Sequence, residues 1–256
     1  MSVSMDYRVL GTTGISVSTF ALGTMMFGAW GNPDAAECTA MVHRALDAGI
    51  NLVDTADVYD QGRSEEIVGA ALGGRRDDVV LATKVFNPMG DDPNRRGTSR
   101  RWIMRACEES LRRLRTDWID LYQVHRLDED TDLDQTLSAL SDLVHQGKVR
   151  AIGTSTFPAS AVVEAQWVAE RRGRERFVSE QPPYSVLARG VEAEVLPPAG
   201  ATGSASSCGR RSTAGGSRAS TASGSSRRAG RGPTASPTTS TSTVPPASAR
   251  RPWWRR

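Results

Sequence analysis

The 256-residue chain is short of several things, and each scarcity excludes a class of protein. Its three cysteines, Cys38, Cys107 and Cys208, are odd in number and have no paired spacing, which excludes a disulfide framework or a zinc module and makes a reducing compartment the expectation. No apolar run approaches the roughly 20 residues of a membrane span. The most apolar stretch, 20–30, is broken by Gly23 and Gly28, and the N-terminus carries Asp6 and Arg8 where a signal peptide would be apolar. A soluble, cytoplasmic protein without membrane association is therefore expected. Lysine is nearly missing: Lys84 and Lys148 stand against 30 arginines. Acid is missing altogether after residue 198.

That last absence splits the charge. Residues 1–198 hold all 29 acidic residues and 22 of the 32 basic ones, a net charge of −7, whereas residues 199–256 carry ten arginines and a net +10. The overall +3 thus belongs to the tail, and basicity gives no ground for a nucleic-acid partner of the body. The tail is Ala, Gly, Ser, Thr, Pro and Arg, with Val244, Trp253 and Trp254 its only large apolar side chains. Such a segment cannot offset an ordering entropy of about 1–2 kcal/mol per residue, so residues 1–198 are expected to fold and 199–256 to be disordered. Its arginines are scattered rather than clustered, unlike a nucleic-acid arm. Read one base out of phase, Gly200–Arg218 is compatible with a buried strand followed by W-S-P-L-N-G-G. The tail therefore reads as the product of a shifted frame that has replaced the C-terminal part.

The body alternates short apolar runs with amphipathic stretches. Strands are predicted at Thr19–Leu22, Asn51–Asp54, Val79–Val85, Trp118–Val124, Val149–Gly153 and Phe177–Glu180, and helices at Pro33–Ala48, Ser64–Leu72, Ser99–Leu114, Leu133–Gln146 and Ala159–Arg172. Leu133, Leu137, Leu140 and Val144 share one helical face, behind Asp132 as N-cap and before Gly147. Tyr7–Leu10 and Val17–Phe20, flanking Gly11–Gly14, read as a small hairpin. Regular strand-helix alternation means βαβ units and a parallel sheet. No G-x-G-x-x-G follows the first strand, so a (β/α)8 barrel is favoured over an open dinucleotide-binding sheet, with about six of its eight strands present.

In such a barrel the carboxyl ends of the strands form the rim where active sites assemble. Asp54 ends the second strand, Lys84 lies near the end of the third, His125 follows the fourth, and Tyr59 sits in the loop five residues beyond Asp54. Taken singly, each has an ordinary role: a cap, a rim aromatic, a solvated strand end, a hydrogen-bonded histidine. Their arrival on one rim points to chemistry. Phe86–Arg96 reads as a surface loop, with a pocket wall as the alternative.

The run Asp54-Thr55-Ala56-Asp57-Val58-Tyr59 followed by Gly62-Arg63-Ser64-Glu65-Glu66 resembles a signature of the aldo-keto reductases, and Leu114 to His125 is similar to that family's second signature. Leu22-Gly23-Thr24-Met25 and Gln181-Pro182-Pro183-Tyr184-Ser185 match as well, so the resemblance covers about residues 7–198. It implies a (β/α)8 barrel that uses NADP(H) to reduce a small-molecule aldehyde or ketone. It also implies that Tyr59 is the general acid, Lys84 lowers its pKa, Asp54 holds Lys84, and His125 donates to the carbonyl oxygen. An ammonium about 4 Å from a phenolate contributes about 4 kcal/mol at an effective dielectric of roughly 20. By the same resemblance Ser155, Gln181 and Tyr184 hold the nicotinamide, and Gly23, Thr24, Met25 and Asp54 are further cofactor contacts. Two positions depart from the pattern: Asp60 stands where glycine is common, and Thr156 where asparagine is. The alternative the resemblance leaves open is a non-catalytic subunit on the same scaffold, similar to the potassium-channel β subunits. Metal ligation is not expected.

Overall fold

The computed structural model describes residues 5–207. The chain opens with an antiparallel hairpin of β1 (Tyr7–Val9) and β2 (Ser16–Ser18). There follow β3 (Ala21–Gly23), α1 (Ala35–Asp47), β4 (Leu52–Asp54), α2 (Arg63–Ala71), β5 (Val80–Val85) and α3 (Arg100–Leu114). Then come β6 (Ile119–Val124), α4 (Leu133–His145), β7 (Val149–Ser155), α5 (Ala159–Arg172) and β8 (Phe177–Gln181). Two short helices, α6 (Val191–Glu194) and α7 (Leu196–Ala201), lead into β9 (Ala205–Ser206). Strands β3 to β9 form one parallel sheet in chain order, as successive βαβ units require.

The sheet is curled into a barrel wall. Ala21 and Gly23 of β3 and Ala205 and Ser206 of β9 line the same cavity of about 520 Å³ although the two strands do not pair. Inside the curl, Leu10 and Val17 of the hairpin pack with Leu52, Val80, Ala82, Leu121 and Ala151, so the hairpin plugs the end of the barrel opposite the carboxyl ends of the strands. Its turn lies so close to β8 that a Cβ on Gly11, at φ +54°, would stand 2.4 Å from the Val178 carbonyl oxygen. Only glycine allows both the backbone angle and that approach.

The larger core lies between the sheet and the helices. Trp102, Ile103, Tyr122, Leu137 and Leu140 are fully buried there. Helix starts follow capping chemistry: Asp34, Ser99 and Asp132 each accept backbone N–H bonds from the first turn of α1, α3 and α4. The helix predicted after Asp132 forms with Leu137 and Leu140 buried and Leu133 and Val144 packed against that core, and Gly173 ends α5 in the left-handed conformation.

The ordered fold does not stop at residue 198. Residues 199–207, expected to be part of a disordered tail, complete α7 and form β9, which pairs parallel to β8 at Ser179↔Ala205 and Glu180↔Ser206. The sheet therefore has seven strands rather than six. Pro197 and Pro198 lie in the first turn of α7, where a missing N–H costs nothing, and the helix turns the chain back toward the sheet. The pairing is made by backbone groups, and an Ala-Ser dipeptide carries no apolar alternation that would announce it. The remainder of the tail reading, 208–256, lies outside the described residues. Among the described residues no helix is long and apolar enough to cross a membrane.

Candidate active site

The parallel register builds the site. Asp54, last residue of β4, pairs with Gly23 on one side and Ala82 on the other; Lys84 pairs with Gln123. Lys84 is thus two residues beyond Asp54's partner on the neighbouring strand, on the same sheet face, where a long side chain reaches a diagonal neighbour. The ammonium Nζ donates to both Asp54 carboxylate oxygens, at 2.8 and 2.7 Å, and to the Thr55 carbonyl at 2.7 Å. The side chain is wholly buried, so the solvated strand end is not its role.

Burial by itself drives the Lys84 ammonium toward a lower pKa. The Asp54 carboxylate and a side-chain hydrogen bond with Tyr59 outweigh that and hold it above its ordinary value. The lysine is therefore a fixed positive charge, 5.3 Å from the centroid of the Tyr59 ring. Tyr59 starts a 3-10 turn, Tyr59–Gly62, rather than lying in an open loop. Asp60 and Gln61 in this turn take φ +48° and +53°, which explains why glycine suits position 60. Here the Asp60 carboxylate instead accepts the Ala29 N–H at 2.8 Å and ties the turn to the loop after β3.

His125 follows β6, and its backbone N–H donates to Val85 O, continuing the ladder one step past the strands. Its ring lies edge-on to that of Tyr59 with centroids 6.0 Å apart, and Trp30 faces Tyr59 at 6.3 Å. Burial, together with the positive charges of Lys84 and Arg126, pulls the His125 pKa down to about 3. The ring is neutral at physiological pH. Asn87 Nδ2 lies 3.0 Å from His125 Nδ1.

All four rim residues singled out in the sequence are thus together: Asp54, Tyr59, Lys84 and His125. Three more join them that sequence reasoning passed over. Gln123 donates to Asp54 Oδ1 at 3.2 Å, Asn87 meets His125, and Trp30 stands beside Tyr59. Gln123 carried a usable signal, since a polar residue facing inward beside Lys84 breaks an apolar strand. Asn87 and Trp30 carried none, because both belong to loops.

Of the residues placed near a cofactor by resemblance, Ser155 and Gln181 are paired across the ends of β7 and β8, and the Ser155 hydroxyl donates to Gln181 O at 2.9 Å. Gln181 and Gly23 line the same cavity as Asp54 and Gln123. Thr24 is buried with its hydroxyl on Ser64 at 2.9 Å, and Ser64 donates to Thr24 O at 2.8 Å, so its side chain secures the loop after β3. Met25 is half-buried in that loop. The Tyr184 hydroxyl donates to Glu192 at 2.6 Å. Thr156 takes φ +59°, a conformation that asparagine tolerates and a β-branched residue resists.

The profile of the aldo/keto reductase family matches residues 19–225. The chain belongs to the aldo/keto reductase family. It is 45% identical over 208 residues to the uncharacterized oxidoreductase YrpG of Bacillus subtilis, covering 76% of this chain and 63% of that protein. It is 39% identical over 201 residues to a probable voltage-gated potassium channel subunit beta of Arabidopsis thaliana, covering 75% and 60%. Among solved structures, the holo form of aldo-keto reductase AKR11C1 from Bacillus halodurans aligns with a TM-score of 0.71 at 36% identity, over 80% of this chain and 66% of that one. As an aldo/keto reductase family member the chain therefore spans about six tenths of the length of the curated relatives it matches.

Proposed function

We propose that these residues are the catalytic half of an NADPH-dependent carbonyl reductase that converts a small aldehyde or ketone to its alcohol. The observation that carries the reading is the buried Lys84 ammonium, clasped by Asp54 on one side and 5.3 Å from the centroid of the Tyr59 ring on the other. A tyrosine of ordinary pKa near 10 is a weak acid at neutral pH. Beside a permanent ammonium in a water-poor site its phenolate is stabilised, so Tyr59 is equipped to give its proton to a developing alkoxide. Asp54 keeps Lys84 charged and aimed. His125, neutral and edge-on to Tyr59, is equipped to donate a hydrogen bond to the same oxygen and orient the carbonyl.

NADPH, when bound, supplies the hydride. Ser155 and Gln181 fit its carboxamide: a hydroxyl-bearing and an amide-bearing residue pair at adjacent strand ends, with Gln181 opening on the cavity that reaches Asp54. Tyr184, three residues on, is the residue we assign to the nicotinamide ring, and Gly23, Thr24 and Met25 to the wall beside it. The likeness to a channel subunit supports a second reading, in which the scaffold binds the nucleotide without turnover. The intact set of four favours the enzyme.

The test is reduction of 4-nitrobenzaldehyde by NADPH, followed at the nicotinamide absorbance, in the native chain and in Tyr59→Phe. Turnover that is lost in Tyr59→Phe is the expected result. Turnover unchanged in Tyr59→Phe would end the acid assignment, and nucleotide binding without turnover would favour the subunit reading.

A further inference from the structure

The neutral state of His125 leaves open which ring nitrogen carries the proton, and the answer decides whether the ring can act. A neutral imidazole has one donor and one acceptor nitrogen. Protonated on Nε2, it can donate to a carbonyl oxygen; protonated on Nδ1, it presents the Nε2 lone pair and repels that oxygen. The choice is made by whatever the other nitrogen meets.

In this chain Nδ1 meets the side-chain amide nitrogen of Asn87 at 3.0 Å. That NH2 group is a donor with no acceptor capacity, so the nitrogen facing it must offer a lone pair. Asn87 is held where it can do this. Strands β5 and β6 pair to Val85↔Val124, and the His125 N–H donates to Val85 O, so the chain runs beside the histidine as it leaves β5. The loop that follows is closed by its own backbone: Gly97 N donates to Phe86 O at 2.7 Å and Met89 N to Arg95 O at 3.0 Å. Asn87 lies between those two closures, anchored on both sides. The charged groups around the ring, Lys84 and Arg126, are both cationic and disfavour the doubly protonated form. No carboxylate is hydrogen-bonded to His125 among the described residues to pull a proton onto Nδ1.

We propose that Asn87 is a positioning residue that fixes His125 as its Nε2–H tautomer by donating to Nδ1, and so makes the ring a donor toward the substrate oxygen. The tautomer claim concerns this chain alone; its catalytic meaning rests on the reductase reading. Residues 86–96, legible as a surface loop, thereby become part of the site's supporting shell, in the way that partners of a catalytic or ligating histidine commonly fix its orientation and tautomer.

The experiment is nitrogen-15 imidazole spectroscopy of the full chain between pH 5 and 8, without cofactor or substrate. With only His43, His125 and His145 present, the His125 signals are assigned by their loss in His125→Gln. The expected result is one neutral form of His125, protonated on Nε2 and bare on Nδ1 throughout that range. Asn87→Asp, which replaces the donor by an acceptor, is expected to move the proton to Nδ1 or to yield the imidazolium. Asn87→Leu, with neither, is expected to give a mixture. A native His125 protonated on Nδ1, or an undiminished Nε2–H form in Asn87→Leu, overturns the proposal. Should either variant fail to fold, the native spectrum still decides the first point. Loss of reductase activity in Tyr59→Phe is a separate measurement, so the two readings stand or fall apart.

Discussion

Lys84 meets both carboxylate oxygens of Asp54, although thirty residues and a helix separate them in the chain. The lysine is wholly buried while the aspartate keeps 16% of its side-chain surface, so the charge that cannot be hydrated is matched by one that partly can.

Breaking that pair from the lysine side should be costly. Lys84→Met strands the Asp54 charge, and removal of one member of a buried pair typically destabilises by about 3–5 kcal/mol. The double variant Asp54→Asn/Lys84→Met should lose less than the two single losses combined. Urea midpoints of the four proteins measure the coupling; simple additivity would show that the two charges do not depend on one another.

The tie between the 3-10 turn and the loop after β3 predicts a sensitive glycine. A Cβ on Gly28, at φ +102°, would lie 2.3 Å from Asp60 Oδ2, the atom that accepts the Ala29 N–H. Gly28→Ala should therefore destabilise by about 1–3 kcal/mol, through backbone strain and displacement of Asp60. Adding Asp60→Gly removes the obstructing carboxylate and relieves a left-handed aspartate, so part of the loss should return. Thermal unfolding of the pair of variants reads this, and no recovery would locate the cost in the backbone angle alone.

Thr156 points the other way. A threonine at φ +59° holds strain that asparagine carries more easily, so Thr156→Asn should stabilise the chain, by about 1 kcal/mol or less. A lower unfolding midpoint would mean that the threonine hydroxyl, 3.3 Å from Ser155 Oγ, matters more than the strain.

Glu180 gives a pH dependence with a definite sign. Its carboxylate is buried behind the turn that follows β7, where it accepts the Thr154 hydroxyl at 2.5 Å and the Phe157 N–H at 3.2 Å. Burial outweighs those bonds and raises its pKa from the ordinary 4.5 to about 7. A carboxyl raised on folding favours the fold in its protonated form: that contribution is complete below about pH 4.5 and is lost as pH climbs through about 7, roughly 3 kcal/mol in all. Glu180→Gln should abolish this slope and gain on the native chain between pH 5 and 8. Urea midpoints across that range check it; parallel curves for the two proteins would assign the slope to other groups.

Much of this protein was determined by its sequence alone. Apolar period, capping aspartates and the spacing of Asp54, Tyr59, Lys84 and His125 specify parallel βαβ units and a shared rim, because strand ends alternate with helices in a fixed geometry. Those signals are local, and they survive without knowledge of the fold. The tertiary structure decided what has no local signature. β9 exists through backbone pairing of an Ala-Ser dipeptide, which carries no pattern. Lys84 is buried rather than solvated, meeting Asp54 from the neighbouring strand, and Asn87 meets His125 because its loop is tied down by the Gly97–Phe86 and Met89–Arg95 backbone hydrogen bonds. A side chain's neighbours across strands, and with them its charge and its protons, come only from closure in three dimensions.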